Sequence, residues 1–277
     1  IVPINQQARA NGFMWGAKIV GISGSLALGS WLLNKFGYSQ AILMLSVAVF
    51  AIMFVPLFLR ERPGEKLLPW SKGSTSLENE KMQITNWTEI FKSLFSVFLL
   101  RNSILMACVL FITQISFNFI ATLLPVFTVQ ALGWTNLEYS QFFATASLIG
   151  GIGGMLIGGI LIDKFGKIRM LNVYFFILIM LTTVFPFLNM YWKNYWVISS
   201  FMVIYQILYV ITSLGLFACA MEFCWKKISA SQFTLYMTIA NLGRIVGAKL
   251  LGPLKNLLSW EYTICSFGVM LALAWII

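Results

Sequence analysis

Gly159-Ile160-Leu161-Ile162-Asp163-Lys164-Phe165-Gly166-Lys167-Ile168-Arg169-Met170-Leu171 sets one acid and three bases close together between two charge-free runs, 139–162 and 170–192. A hydrocarbon core about 30 Å thick takes roughly 20 apolar residues of helix. Each flank is long enough to cross a bilayer, so the charged stretch reads as the turn between two crossings. Gly159 allows close approach of a neighbouring helix and Gly166 lets the chain turn tightly. Asp163 can pair with a helix N-terminus or a basic neighbour.

The same spacing of charges extends in both directions. Residues 36–59, 102–137 and 194–221 are further charge-free runs of spanning length, and 19–34, 228–243 and 262–277 are shorter ones with apolar flanks. The chain is 59% hydrophobic and 10% charged, against about 25% charged in soluble domains, too little charge to cover a water-facing surface. The expected fold class is therefore an all-α membrane protein with eight transmembrane helices, at 10–33, 39–59, 103–128, 140–162, 170–190, 196–219, 229–252 and 262–277. Gly and Pro inside these spans agree with membrane helices. A start at Ile1 and an end inside an apolar run read as the cut ends of a longer protein.

Several functions lose their chemistry at this point. The chain has no His, and Asp163 is its only Asp, so imidazole metal ligands and His general bases are absent. Cys108, Cys219, Cys224 and Cys265 lie in or beside apolar runs without metal-ligand spacing and read as packing residues. No catalytic residues, metal or cofactor are expected, and an integral-membrane enzyme is disfavoured.

Loop charge sets the orientation. Arg9, then Arg60, Arg62, Lys66, Lys72, Lys81, Lys92 and Arg101, then Lys164, Lys167 and Arg169, then Lys226 and Lys227 fall in alternate loops, while the opposite loops hold only Lys35, Lys193 and Lys255. The rich side is expected to be cytoplasmic. The poor side carries aromatic anchors: Trp31, Tyr38, Trp134, Tyr139, Tyr191, Trp192, Tyr195, Trp196, Trp260 and Tyr262. The net charge of +10 thus reports topology, with no nucleic-acid partner required. The one long polar stretch, 60–101, begins as solvated loop. From Asn86, with Glu89 three residues on, Ile90, Phe91, Leu94, Phe95 and Phe98 recur at helical spacing, which predicts an amphipathic helix on the inner membrane face.

The 159–171 loop resembles the signature of the major facilitator superfamily, Gly-x-Leu-x-Asp-basic-x-Gly-basic-basic, with Ile168 interrupting the last basic pair. If this is the loop between that fold's eighth and ninth helices, 1–59 holds helices five and six of the N-terminal half, 60–101 the central cytoplasmic loop, and 102–277 the six-helix C-terminal half. Gly159, Asp163, Lys164, Gly166, Lys167 and Arg169 are then the gating motif. Gly24-x4-Gly29 and Gly247-x4-Gly252 hint at the internal symmetry of such folds. Ile228-Ser229-Ala230-Ser231-Gln232-Phe233-Thr234-Leu235, with Asn241-Leu242-Gly243-Arg244, resembles AmpG-type muropeptide permeases and the related acetyl-CoA transporters, as does 62–70. That resemblance implies proton-coupled import of an anhydro-muropeptide through the bacterial cytoplasmic membrane by a monomer. A transporter of another solute (a sugar, drug or acyl-CoA) and a receptor or scaffold on the same fold stay open.

Polar groups at membrane depth are functional candidates by default. Gln206, Asn118 and Gln114, one turn before Asn118, fall in the middle of their spans. Asn241 and Arg244 are three apart on one helix, and Lys18 lies roughly 12 Å into the first span. These six are the candidate substrate contacts, and a cationic cavity suits an anionic solute. Close packing is the expected role of Gly150, Gly154 and Gly158, spaced four apart. No carboxylate is expected at mid-membrane depth, so a coupling acid would have to lie upstream.

Overall fold

Helices occupy the charge-free runs. The computed structural model describes residues 7–55, 87–225 and 228–277, and among these the regular elements are all helical. They are α1 (Gln7–Phe36), α2 (Tyr38–Met53), α3 (Trp87–Phe98), α4 (Arg101–Gln130), α5 (Asn136–Gly153), α6 (Gly159–Phe165), α7 (Lys167–Val184), α8 (Tyr195–Glu222), α9 (Ser229–Leu257) and α10 (Trp260–Ile276). A π-helical turn, Gly154–Gly158, joins α5 to α6, and a 3-10 segment, Phe185–Tyr191, continues α7.

Five spans among the described residues are long and apolar enough to cross a bilayer: Gly16–Phe36, Arg101–Gln130, Asn136–Ile162, Lys167–Tyr191 and Tyr195–Glu222. Helices α2 and α10 are apolar but shorter, with 16 and 17 residues, and at 1.5 Å per residue each reaches about 25 Å. Helix α9 has 29 residues with Arg244, Lys249 and Lys255 in its second half. The polar segment 56–86, with Asn86 of the expected helix start, lies outside the described residues. Helix α3 stands where that amphipathic helix was expected.

Three local departures have identifiable causes. The span expected as one helix over 140–162 contains the π-helical turn at Gly154–Gly158, in a stretch whose glycines offer no side-chain packing against the widened turn. The span at 170–190 tightens to 3-10 from Phe185, where Pro186 supplies no N–H at the start of the segment. Helix α9 runs through Pro253 to Leu257. So close to the helix end, Pro253 costs one bond, to the Lys249 carbonyl.

Contacts divide the chain into two units, residues 28–93 and the remainder. In the first, Gly37 at φ 78° separates α1 from α2 and closes on the Leu33 carbonyl at 3.1 Å. Gly29 meets the Leu45 side chain, and Ala41 is fully buried.

The larger unit is organised by two glycine seams. Across α4 and α9, a Cβ built on Gly243 would stand 2.5 Å from the Phe111 carbonyl oxygen, and one on Gly247 would overlap the Ile115 carbonyl. Across α5 and α8, Gly150 lies against the Gln206 backbone, where an added Cβ would be 2.8 Å from the carbonyl carbon. Gly154 and Gly158 continue the seam against Val210 and Ile211. Such faces let helix backbones approach within dispersion range, which association in lipid requires because apolar burial supplies little there. The proposed Gly24/Gly247 and Gly29/Gly252 correspondence gains nothing from packing, since Gly24 and Gly252 have no neighbour within 4 Å while Gly247 is tightly enclosed.

Where α4 ends and α8 begins, Phe185 stacks on Phe201 at 3.9 Å and Phe127 meets Trp192 edge-on at 5.0 Å. Trp192 corrects the list of interfacial anchors. It is buried, and its Nε1–H donates to the Phe185 carbonyl at 3.0 Å, because the 3-10 turn folds the indole back over the helix ends. Trp196 and Tyr262 are exposed, as interfacial anchors should be.

Gly247→Leu in the full-length protein should separate α4 from α9 and lower the unfolding temperature in detergent by several degrees or prevent folding. Gly252→Ala, with open space around it, should leave the temperature unchanged or slightly raised, as expected for Ala over Gly in a helix. Equal tolerance of both substitutions in a melting experiment would show that the seam is not close-packed.

Candidate functional site

The seam between α4 and α9 brings Gln114, Asn118 and Arg244 together. Asn118 donates from Nδ2 to the Arg244 carbonyl at 2.8 Å, and the Arg244 Nε–H donates to Gln114 Oε1 at 2.9 Å. On the other seam, Gln206 donates to Ser147 Oγ at 2.9 Å. All four amide and guanidinium groups line one cavity of about 150 Å³, together with Phe117, Phe143, Tyr205, Tyr209 and, from α1, Ile19 and Ile22. At 1.5 Å per residue, Gln114 is about 20 Å along α4 and Arg244 about 23 Å along α9, so the cavity sits mid-span.

Its character is set by one charge and an aromatic wall. Arg244 is the only charged residue lining it among the described residues. Tyr205 and Tyr209 stack at 6.2 Å, and Phe117 meets Tyr209 edge-on at 4.8 Å. Glu138, Glu222 and Glu261 stand in the first or last turns of their helices, away from this depth. The arrangement can hold a small anion against an aromatic wall.

Four of the six expected contacts therefore meet: Gln114, Asn118, Gln206 and Arg244. Lys18 and Asn241 are exposed and do not line the cavity. For Asn241 the reason is helical geometry. Gly243 faces α4, Arg244 is about 100° round the helix from it, and Asn241 is about 160° round, on the far side. Ser147, Tyr205 and Tyr209 also line the cavity, though they are neither amides nor charges. Tyr205 and Tyr209 flank Gln206 at helical spacing, and Ser147 stands one turn before Gly150, which is the signal in the sequence that marks them.

At the charged loop, Gly166 takes φ 88° and ends α6, its N–H donating to the Ile162 carbonyl at 3.0 Å while its own carbonyl accepts from Met170 in the first turn of α7. Lys167 forms an ion pair with Glu222 at 2.9 Å, joining the loop to the end of α8, a link invisible in the linear sequence. Lys164 lies over the Phe165 ring, and Arg169 is exposed. Gly159 and Asp163 stand in α6, but the Asp163 side chain lies outside what is described.

Gln232 has a structural role. It is fully buried, accepts from the Trp225 N–H at 2.8 Å, and its Nε2 is within 3.3 Å of the Phe223 carbonyl and Ser103 Oγ. It thereby fastens the 223–225 turn and the start of α4 to α9. Beside it, just past the end of α8, burial pushes the Cys224 thiol up to about 11, so the thiol stays protonated at neutral pH and reacts slowly. That agrees with a packing role.

Helices long enough to cross a bilayer, with an arginine and three amides lining a cavity at mid-span, define a multi-pass integral membrane protein. The family model of the Major Facilitator Superfamily matches residues 1–248, and the chain belongs to that family. It is a family of secondary transporters acting on small molecules in membranes, not a family of enzymes. A search of curated proteins returned no match to the chain.

The Lys167–Glu222 pair is partly exposed, and such pairs contribute on the order of 0–1 kcal/mol, so breaking it should be read in transport rather than in stability. In the full-length protein, Lys167→Glu should slow uptake severalfold, and adding Glu222→Lys should restore most of it. Failure of the double reversal to recover uptake would separate the pair from loop function.

Proposed function

We propose that this segment is helices five to twelve of a twelve-helix transporter that moves a small anionic solute by alternating access through the Arg244 cavity. The observation that carries this reading is the Arg244 guanidinium, anchored at mid-span by Gln114 in a cavity with no lining carboxylate among the described residues. A cation at membrane depth is costly, about 2.5–3.5 kcal/mol on insertion scales, and a bound anion offsets that cost.

The order of elements supports the helix assignment. Helices α1 and α2 precede 56–86, α3 follows it, and then come α4, the α5–π–α6 segment, α7, α8, α9 and α10. The rich-loop side is cytoplasmic in this reading. The solute is an anhydro-muropeptide imported with protons through a bacterial cytoplasmic membrane by a monomer, and the coupling carboxylate belongs to helices one to four. In the stretch that resembles muropeptide permeases, Gln232, Gly243 and Arg244 each hold a defined place: the fastened turn, the close seam and the cavity cation.

Uptake of a radiolabelled anhydro-muropeptide by vesicles carrying the full-length protein tests the solute directly. A charge-assisted hydrogen bond contributes about 1.5–3 kcal/mol. Arg244→Ala should therefore reduce uptake roughly ten- to a hundredfold, and Arg244→Lys, which keeps the charge but loses the planar fork, by less. Unchanged apparent affinity in the alanine variant would remove Arg244 from the binding site. Orientation has its own test. In intact cells an impermeant thiol reagent should label cysteines introduced at 193 and 255, and labelling at 72 would reverse the topology.

A further inference from the structure

A guanidinium has five N–H donors and no acceptor. That fixes which way the Gln114 amide faces. The Nε–H of Arg244 is aimed at Gln114 at 2.9 Å, so the amide turns its oxygen to the Nε–H, and its NH₂ group takes no part in that contact. This NH₂ has no partner, although Gln114 is only 1% exposed. Buried donors in native structures almost always find an acceptor. A side chain with a lone orphaned donor, lining a cavity beside a guanidinium, therefore marks where an acceptor belongs.

The Nε–H is the guanidinium's one hydrogen bond among the described residues, which leaves its terminal N–H groups for something else. Asn118 donates from Nδ2 to the Arg244 backbone carbonyl at 2.8 Å, and its acceptor Oδ1 makes no hydrogen bond to the guanidinium among the described residues. Gln114 and Arg244 thus bring to the cavity lining N–H donors that have no partner among the described residues, beside the Tyr209 and Phe117 rings.

We propose that Gln114 is a specificity-determining residue: its carbonyl aims the Arg244 guanidinium, and its amide N–H joins the guanidinium in a donor-only fork that takes a deprotonated carboxylate and rejects the corresponding carboxamide. The proposal rests on the reading of the Arg244 cavity as the solute site. A carboxylate offers two acceptor oxygens and no donor, so it satisfies both residues at once. A carboxamide offers one acceptor and turns its own N–H groups towards like groups. Specificity arises from leaving donors unpaired in the wrong complex, which discriminates more strongly than shape alone.

The experiment uses vesicles of the full-length protein, a labelled anhydro-muropeptide, and its fully amidated form as competitor. Wild type should favour the carboxylate form over the amide by at least about tenfold. Gln114→Leu should raise KM about tenfold with little change in kcat and erase most of that preference, because Arg244 loses its aim and the fork its second donor. Gln114→Glu supplies a fixed carboxylate to Arg244. It should melt at or above the wild-type temperature while losing affinity for the carboxylate form and not for the amide, so folding failure is excluded as the cause. If Arg244→Ala abolishes uptake while both Gln114 variants keep the wild-type KM and preference, the role of Gln114 is overturned and the anion site stands. If Arg244→Ala also leaves KM and preference unchanged, the anion site and the fork are overturned together.

Discussion

The contact of two helix backbones, α9 on α4, is the constraint on which the site depends. It is the most extensive helix–helix contact among the described residues, and it is possible only because positions 243 and 247 lack a Cβ. At that separation Asn118 reaches the Arg244 carbonyl and Gln114 reaches its guanidinium. A side chain at either glycine would hold the helices apart and leave an arginine at mid-membrane depth without its partner. The seam of α5 on α8 does the same for Gln206 and Ser147. In lipid, where apolar burial drives helix association only weakly, close packing and interhelical hydrogen bonds do both jobs at once.

The π turn at Gly154–Gly158 lies on the second seam. It separates the part of the span that lines the cavity, at Ser147, from the part that leads into the charged loop. The loop is in turn held to α8 through Lys167 and Glu222. Cavity and loop are thus attached to the same pair of elements, α8 and the α5–α6 span. Under the proposed alternating access, this is a route by which filling the cavity and rearranging the loop bear on one another.

The helices were legible in the sequence because the spacing of Lys, Arg, Asp and Glu is a direct record of where water ends, and helix limits such as 101–130 differ from the expected 103–128 by two residues at each end. What happens inside a span was less legible. Nothing in hydropathy separates an α from a π turn at Gly154, and Trp192 has the composition of an interfacial anchor until the 3-10 turn folds it inward. The candidate site was legible by depth but not by azimuth. Gln114, Asn118, Gln206 and Arg244 were expected together and line one cavity, whereas Asn241 shares a helix with Arg244 but turns away, because the face occupied by Gly243 and Gly247 decides which side meets α4. The tyrosines and Ser147 were passed over because they are less costly than charges or amides to bury, so depth alone does not single them out. Gln232 shows the converse. A polar residue in a recognisable motif proved to hold a turn in place instead of lining the cavity.

A structure of the full-length protein in a lipid nanodisc, with a carboxylate-bearing anhydro-muropeptide bound, measures the central claim most directly. The account predicts ligand density in the mid-span cavity, with a carboxylate within hydrogen-bond distance of the Arg244 guanidinium at the α4–α9 seam. An Arg244 side chain directed to the lipid headgroups, with the ligand held elsewhere, would contradict it.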